Sequence, residues 1–190
     1  IYDRLVGSEM CIRDSIKIHD PESGAVFVNK RNAIHYENMS IALAESVANQ
    51  GQGFISSMAF GNGGTSVDPT GIITYLTPNS TGTNASLYNQ TFTKIVDDRS
   101  VSNLDPQRNK IETRHVNGTN YTDVVVTCLL DYGEPNGQDA TDTASASDSL
   151  YVFDELGLVS YASSGTGKLL THVIFCLLYT SPSPRDGRIS

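Results

Sequence analysis

The spacing of hydrophobic residues changes near Arg31, and this change separates two kinds of predicted element. Before it, residues 16–19 and 25–29 form short extended runs around the turn sequence DPESG, which predicts a β-hairpin. After it, apolar residues recur at helical spacing as far as NQGQG, where Gly51 or Gly53 can end a helix. The apolar face of this helix comprises Ile34, Ile41, Leu43, Ala44, Val47 and Ala48. We expect this face to pack on a sheet; the alternative is a partner-binding helix whose apolar face stays exposed.

From residue 54 onward the pattern predicts strands separated by turns rich in Gly, Asn and Pro. The strand-like runs are FISSMAF, GIITYLT, LYNQTFTKIVD, RNKIETRHV, YTDVVVTCLLDY and KLLTHVIF, with LYVFDELGLVSY as a short strand or a turn of helix. The sequence NGTN predicts a hairpin between the fourth and fifth runs. In the fifth run, Val124, Val125 and Val126 predict a strand buried on both faces. The fold class is therefore mainly β with one N-terminal α-helix (α+β), arranged as an antiparallel sheet or sandwich.

The two ends of the chain share one coding origin. One codon choice for residues 5–14, LVGSEMCIRD, extended by the first two bases of the Ser15 codon, encodes residues 176–185, CLLYTSPSPR, when it is reverse-complemented and read one base in. The pair resembles an adapter used in sequencing libraries, so we expect residues 1–15 and 176–190 to be non-natural. Residues 16–175, about 160 in number, then form a single β-rich domain truncated at its C-terminus. The apolar CLLY sequence can still extend the last strand.

Composition and charge narrow the possible partners. Cys11 and Cys176 lie in the flanks, which leaves Cys128 alone and excludes an intramolecular disulfide in residues 16–175. A net charge of −8 does not favour a surface that tracks nucleic-acid phosphates. No apolar run approaches the roughly 18 residues of a membrane span. We therefore predict neither a nucleic-acid partner nor a membrane partner.

The sequence SSGTGKLL superficially matches a phosphate-binding loop. Gly167 and Lys168 stand before a hydrophobic run, but Ala162 and Leu169 replace the glycine and the hydroxyl residue that the motif requires. We interpret it as a flexible turn.

The histidines and the remaining cysteine show no catalytic or metal-binding spacing. The four histidines, which occur singly, are His19, His35, His115 and His172. They are interpreted as structural or exposed residues. Cys128 lies in an apolar strand, where we expect a small hydrophobe rather than a nucleophile.

Two acidic segments are the remaining candidates for chemistry. Between two predicted strands lie Asp97, Asp98, Asp105, Arg99, Arg108 and Lys110. We expect a solvated loop with ion pairs here; the alternatives are a cation site or a hydrolase that uses these aspartates. Residues 133–149, which contain Asp139, Asp142 and Asp148, receive the same interpretation. Glycosylation sequons at Asn38, Asn79, Asn84, Asn89, Asn117 and Asn120 are interpreted as inert.

Five segments resemble uncharacterised structural proteins of contractile-tailed phages that infect cyanobacteria and related ocean bacteria. They are NKRNAIHYENMSIALAESVANQGQGFISSMAFGNGG, LYNQTFTKIVDD, RNKIETRHV, YTDVVVTCLLDYGEP and YVFDELGL. The resemblance covers most of residues 16–175 and implies a role in a virion assembled in the host cytoplasm. It brings no catalytic, cofactor-binding or metal-binding residues to carry over.

We therefore expect a non-enzymatic structural component of a phage head, neck or tail that acts through protein–protein contacts. Its partners would be other copies of itself, as a homo-oligomer, and other virion proteins. The alternative is a carbohydrate- or receptor-binding β-module of the particle, because polar loops rich in Tyr, Asn and Asp suit sugars.

Overall fold

The computed structural model describes residues 13–131, 134–135 and 152–179. The described structure is 41% strand and 8% helix, which confirms the predicted mainly β, α+β class. The elements are β1 (Ser15–His19), β2 (Val26–Arg31), β3 (Ala33–Ile34), α1 (Tyr36–Val47), β4 (Ile55–Gly61), β5 (Thr65–Val67), β6 (Ile73–Tyr75), β7 (Gln90–Ile95), β8 (Lys110–His115), β9 (Thr122–Thr127), β10 (Val152–Ser160) and β11 (Leu169–Tyr179). Among the described residues, no helix has the length and apolar character needed to cross a membrane.

The main sheet has five antiparallel strands in the order β3-β11-β10-β4-β7. The β10 strand lies at its centre, where Leu156 pairs with Val173 on one side and with Phe60 on the other. The run that predicted a short strand or a helical turn is thus a nine-residue central strand. The β1–β2, β5–β6 and β8–β9 pairs form three separate two-stranded sheets.

The hydrophobic core lies on the face of the main sheet that the β1–β2 hairpin covers. Val28 of the hairpin joins Phe60, Phe153 and Phe175 in one buried cluster. The rings of Phe60 and Phe153 lie 5.1 Å apart, a tilted contact between neighbouring strands. Burial of each such side chain contributes about 1.5–3 kcal/mol. A second, smaller cluster contains Ala59, Leu87 and Leu169.

Both predicted hairpins are confirmed, and the last strand extends beyond residue 175. β1 and β2 pair around the DPESG turn, and β8 and β9 pair across NGTN. β11 continues through Cys176 to Tyr179, as predicted for the CLLY sequence. Residues 1–12 and 180–190 lie outside the described part, so the boundaries at residues 15 and 175 stay predictions.

The predicted packing face of the helix is wrong. Ile34 belongs to β3, and Val47 is 86% exposed. The helix instead buries Asn38 and Ala42, one turn apart, and Asn38 Nδ2 donates a hydrogen bond of 2.9 Å to the carbonyl of Leu169 in β11. A polar anchor to the sheet therefore decides which helix face is buried.

The prediction that β9 is buried on both faces is also wrong. No residue of β8 or β9 is buried, and Val124 is 55% exposed. A continuous run of valines is typical of a strand covered on two sides, but a two-stranded hairpin offers no such cover.

Candidate functional site

The predicted aspartates do not converge on one position. Asp97 is buried and Asp98 is exposed, while Asp105 forms an ion pair with Arg108. The hydrogen bond from Arg108 lowers the pKa of the Asp105 carboxyl. Within the described ranges, no three His, Cys, Asp or Glu side chains are placed to hold a metal ion. The structure thus places ion pairs in this loop and does not assemble the cation site or the aspartate constellation.

Two buried asparagines fix the backbone of the same loop. Asn103 Nδ2 donates to the carbonyls of Asp97 (3.1 Å) and Asn109 (2.8 Å). Asn109 Oδ1 accepts the backbone N–H of Leu129 at 2.8 Å. The loop is therefore internally braced, although the sequence suggests only a solvated connection. Sequence reasoning missed both residues because asparagine is also the common residue of exposed turns.

The histidines separate into two buried and two exposed residues. His35 and His172 are fully buried, whereas His19 and His115 are exposed. His172 Nδ1 accepts the backbone N–H of Asn79 at 2.8 Å, so its proton lies on Nε2. His172 Nε2 then donates to Glu155 Oε2 at 3.0 Å.

Cys128 is an inert thiol, in agreement with the sequence interpretation. Burial raises the pKa of the Cys128 thiol to about 12, so the thiolate is not formed at neutral pH.

Glu155 is a buried carboxylate that sequence reasoning missed. Its two oxygens accept the backbone N–H groups of Gly63 (3.1 Å), Tyr88 (2.9 Å) and Asn89 (2.8 Å) besides the His172 bond. Burial raises the pKa of Glu155, but these hydrogen bonds outweigh burial and hold it below its ordinary value. Glu155 thus fixes the loop after β4 and the segment just before β7 to the centre of the sheet.

Asp154, the preceding residue, holds the same glycine-rich loop. It is fully buried and accepts the backbone N–H groups of Gly64 (2.9 Å) and Thr65 (2.8 Å), together with the Thr65 hydroxyl. A side chain at Gly61 would collide with the carbonyl of Asn89, which explains glycine at this close approach. The feature of the sequence that could have indicated these two buried carboxylates is the acidic pair inside the apolar run VFDELGLV.

The other sequence motifs have structural roles in the described residues. The Gly167–Lys168 sequence lies in the connection between β10 and β11, and the Lys168 N–H donates to Ser160 Oγ. It leads from strand to strand, whereas a phosphate-binding loop leads into a helix. Asn38 is fully buried, so its sequon is closed to modification. Asp139, Asp142 and Asp148 lie outside the described residues.

An aromatic and cationic surface lies beside the braced loop. The Phe54 and Tyr161 rings stack at 4.9 Å with an interplanar angle of 7°. The Arg99 guanidinium carbon lies 5.5 Å from the centre of the Phe54 ring. Asp97 Oδ1 accepts the Arg99 backbone N–H at 3.1 Å and Arg99 Nε at 3.3 Å. We call Phe54, Asp97, Arg99 and Tyr161 the Arg99 surface.

Two cavities adjoin the Arg99 surface and share Phe54, Asp97 and Arg99 in their walls. The first, about 480 Å³, is also lined by Ser46, Asn49, Gly51 and Gln52. The second, about 430 Å³, is also lined by Ser56, Ile95, Ser100, Val101, Ser102 and Tyr161. Hydroxyl and amide groups thus surround one guanidinium and one carboxylate.

The β8–β9 hairpin forms a second candidate surface, which we call the arm. The cross-strand pairs Ile111–Val126 and Thr113–Val124 place apolar groups on one face. The other face carries Lys110, Glu112, Arg114 and Asp123 beside the single valine Val125, with Glu112 bridging Lys110 and Arg114. Burial decreases from the base of the arm to its turn at Gly118. The arm is thus amphipathic, and its apolar face is at most half-buried.

Comparison with known proteins identifies no relative: no family model, curated protein or solved structure matches this chain.

Proposed function

We propose that this protein is a structural component of a tailed-phage particle and works through protein–protein contacts. The arm is the observation that carries this proposal, and the resemblance of five segments to phage structural proteins supplies its setting. A two-stranded hairpin has little stability of its own in water. An apolar face on such a hairpin is stabilised when another surface covers it.

A second copy of the arm is the partner that fits this face in size and polarity. Ile111, Thr113, Val124 and Val126 form a self-complementary strip, so two arms related by a two-fold axis bury apolar groups against each other. Both charged faces then remain in water.

The area of the arm limits the strength of this contact. Six residues at about 3.3 Å each give a face roughly 20 Å long and 10 Å wide, or about 200 Å² on each side. A stable interface buries about 800 Å² on each partner. One pair of arms is therefore a weak contact, which suits a particle that repeats each contact many times.

Light scattering during size-exclusion chromatography tests this proposal. Val124→Asp places a charge on the apolar face and should abolish self-association. Leu104→Asp adds the same charge at a side chain that is 97% exposed and outside the arm, and it should leave self-association unchanged. A protein that stays monomeric at millimolar concentration, or equal effects of both substitutions, would contradict the role of the arm. Gold-labelled antibody on intact particles tests the virion location, and label confined to the host cytoplasm would contradict it.

Saccharide binding is the second candidate function, and the Arg99 surface favours it. A partly exposed tyrosine ring beside a guanidinium, a carboxylate and several hydroxyl groups offers both apolar and hydrogen-bonding contacts to a sugar. A glycan array with the intact chain tests it, since saturable binding is expected only if this candidate is right.

A further inference from the structure

We propose that the Arg99 surface binds a saccharide that carries a carboxylate, such as a uronic acid residue. This inference rests on the second candidate function and names its ligand class. The Arg99 side chain is 74% exposed, but Asp97 holds it at one end.

The two terminal nitrogens of Arg99 are the part of the site that selects a carboxylate. Asp97 takes the Arg99 Nε–H, and Nη1 and Nη2 make no hydrogen bond to any described residue. The contact with Phe54 further orients the guanidinium plane. Two parallel N–H donors in a fixed plane match the two oxygens of a carboxylate. Because Asp97 and Phe54 already hold the guanidinium in place, binding a ligand costs less side-chain entropy.

The groups around Arg99 fit the rest of a sugar ring. Asp97 Oδ1 is occupied by Arg99, while Oδ2 has no partner in the described chain and can accept a ring hydroxyl. Ser100 and Ser102 line the same cavity and can donate or accept. The exposed part of the Tyr161 ring offers an apolar surface to the C–H groups of a pyranose.

Size and charge restrict the ligand to a short one. Cavities of about 480 and 430 Å³ lie within the range of small-molecule sites. The net charge of −8 repels a polyanion beyond the local field of Arg99. The fitting ligand is therefore a monosaccharide or short oligosaccharide with one carboxylate.

Saturation-transfer NMR with the intact chain tests the proposal, with methyl glucuronide as the acidic probe and methyl glucoside as its neutral match. The glucuronide should bind. The glucoside should bind with an affinity at least about tenfold lower, because it lacks the charged acceptor. Arg99→Ala and Arg99→Lys should each weaken glucuronide binding by about tenfold, since lysine lacks the paired donors. Arg114→Ala is the matched control, because Arg114 is similarly exposed and also bound to a carboxylate, and it should change nothing.

The outcomes separate this inference from the function on which it rests. Glucuronide binding that survives Arg99→Ala, or equal binding of both sugars, overturns the carboxylate assignment and leaves saccharide binding standing. If neither the glucuronide nor the glucoside binds, the carboxylate assignment and the saccharide-binding function are both overturned. An acidic tripeptide that binds through Arg99 when glucuronide does not would overturn the proposal in favour of a protein partner. Matching far-UV circular dichroism and thermal midpoints ensure that each variant is folded.

Discussion

Replacement of Glu155 by glutamine should cost a large fraction of the stability of this protein. Each carboxylate oxygen accepts two donors: Oε1 accepts from Gly63 and Asn89, and Oε2 from Tyr88 and His172. An amide has only one acceptor oxygen, so its NH₂ group must face two of these donors.

A change in the tautomer of His172 cannot restore the lost hydrogen bonds. If the NH₂ group faces His172, its Nε2 must become an acceptor and the proton must move to Nδ1. Nδ1 would then face the backbone N–H of Asn79, which now donates to it at 2.8 Å. Either orientation of the amide therefore leaves without an acceptor at least two of the donors that point at this buried side chain. At about 1–3 kcal/mol for each, the loss is about 2–6 kcal/mol, against about 5–15 kcal/mol for a typical domain.

Urea denaturation measures this loss, followed by circular dichroism and tyrosine fluorescence because the chain has nine tyrosines and no tryptophan. Glu112→Gln is the control, since Glu112 binds Lys110 and Arg114 at the surface of the arm, where ion pairs add little to stability, so this substitution should leave the urea midpoint nearly unchanged. A loss below about 1 kcal/mol for Glu155→Gln, or equal losses for both variants, would refute the reasoning.

Three further predictions concern Glu155, the close approach at Gly61 and the braced loop before β8. The folded-state pKa of Glu155 lies below its ordinary value, so ionised Glu155 stabilises the fold above about pH 4.5, and this stabilisation is lost as pH falls through the folded pKa. Over that pH range the free energy of unfolding should decrease by up to about 1.4 kcal/mol per pH unit for this group. The decrease should be less steep in Glu155→Gln, which has no carboxyl group to protonate. Gly61→Ala should lower the free energy of unfolding by about 2 kcal/mol or more, and with it the urea midpoint, because its Cβ would collide with the Asn89 carbonyl. Asn109→Ala should cost about 1–3 kcal/mol and speed amide exchange at Leu129, whose N–H loses its acceptor; unchanged exchange would contradict this.

The elements that depend on local pattern were predictable from the sequence. The DPESG and NGTN turns identify both hairpins, and the apolar run at residues 169–175 identifies the last strand. Each of these elements is determined by residues that are close in sequence, so hydrophobic periodicity and turn residues are enough to predict it.

The buried carboxylates depend on partners that are distant in sequence. Glu155 meets Gly63 across 92 residues and Tyr88 across 67, and both donors are backbone N–H groups that any residue could supply. Side-chain patterns cannot identify such partners. The helix shows the same limit, because Asn38 and its bond to β11 turn the helix away from its apolar stripe.

The two candidate surfaces share one brace, which would connect the proposed self-association to the proposed saccharide binding. Asn103 joins the Asp97 carbonyl to the Asn109 carbonyl, and Asn109 also holds Leu129 at the base of the arm. Asp97 in turn orients Arg99. Loss of the Asn109 side chain therefore loosens the arm at its base and, through the shared segment, the positioning of Arg99. Arg99→Ala leaves this brace intact, so it should affect saccharide binding alone, whereas Asn109→Ala should weaken both saccharide binding and self-association.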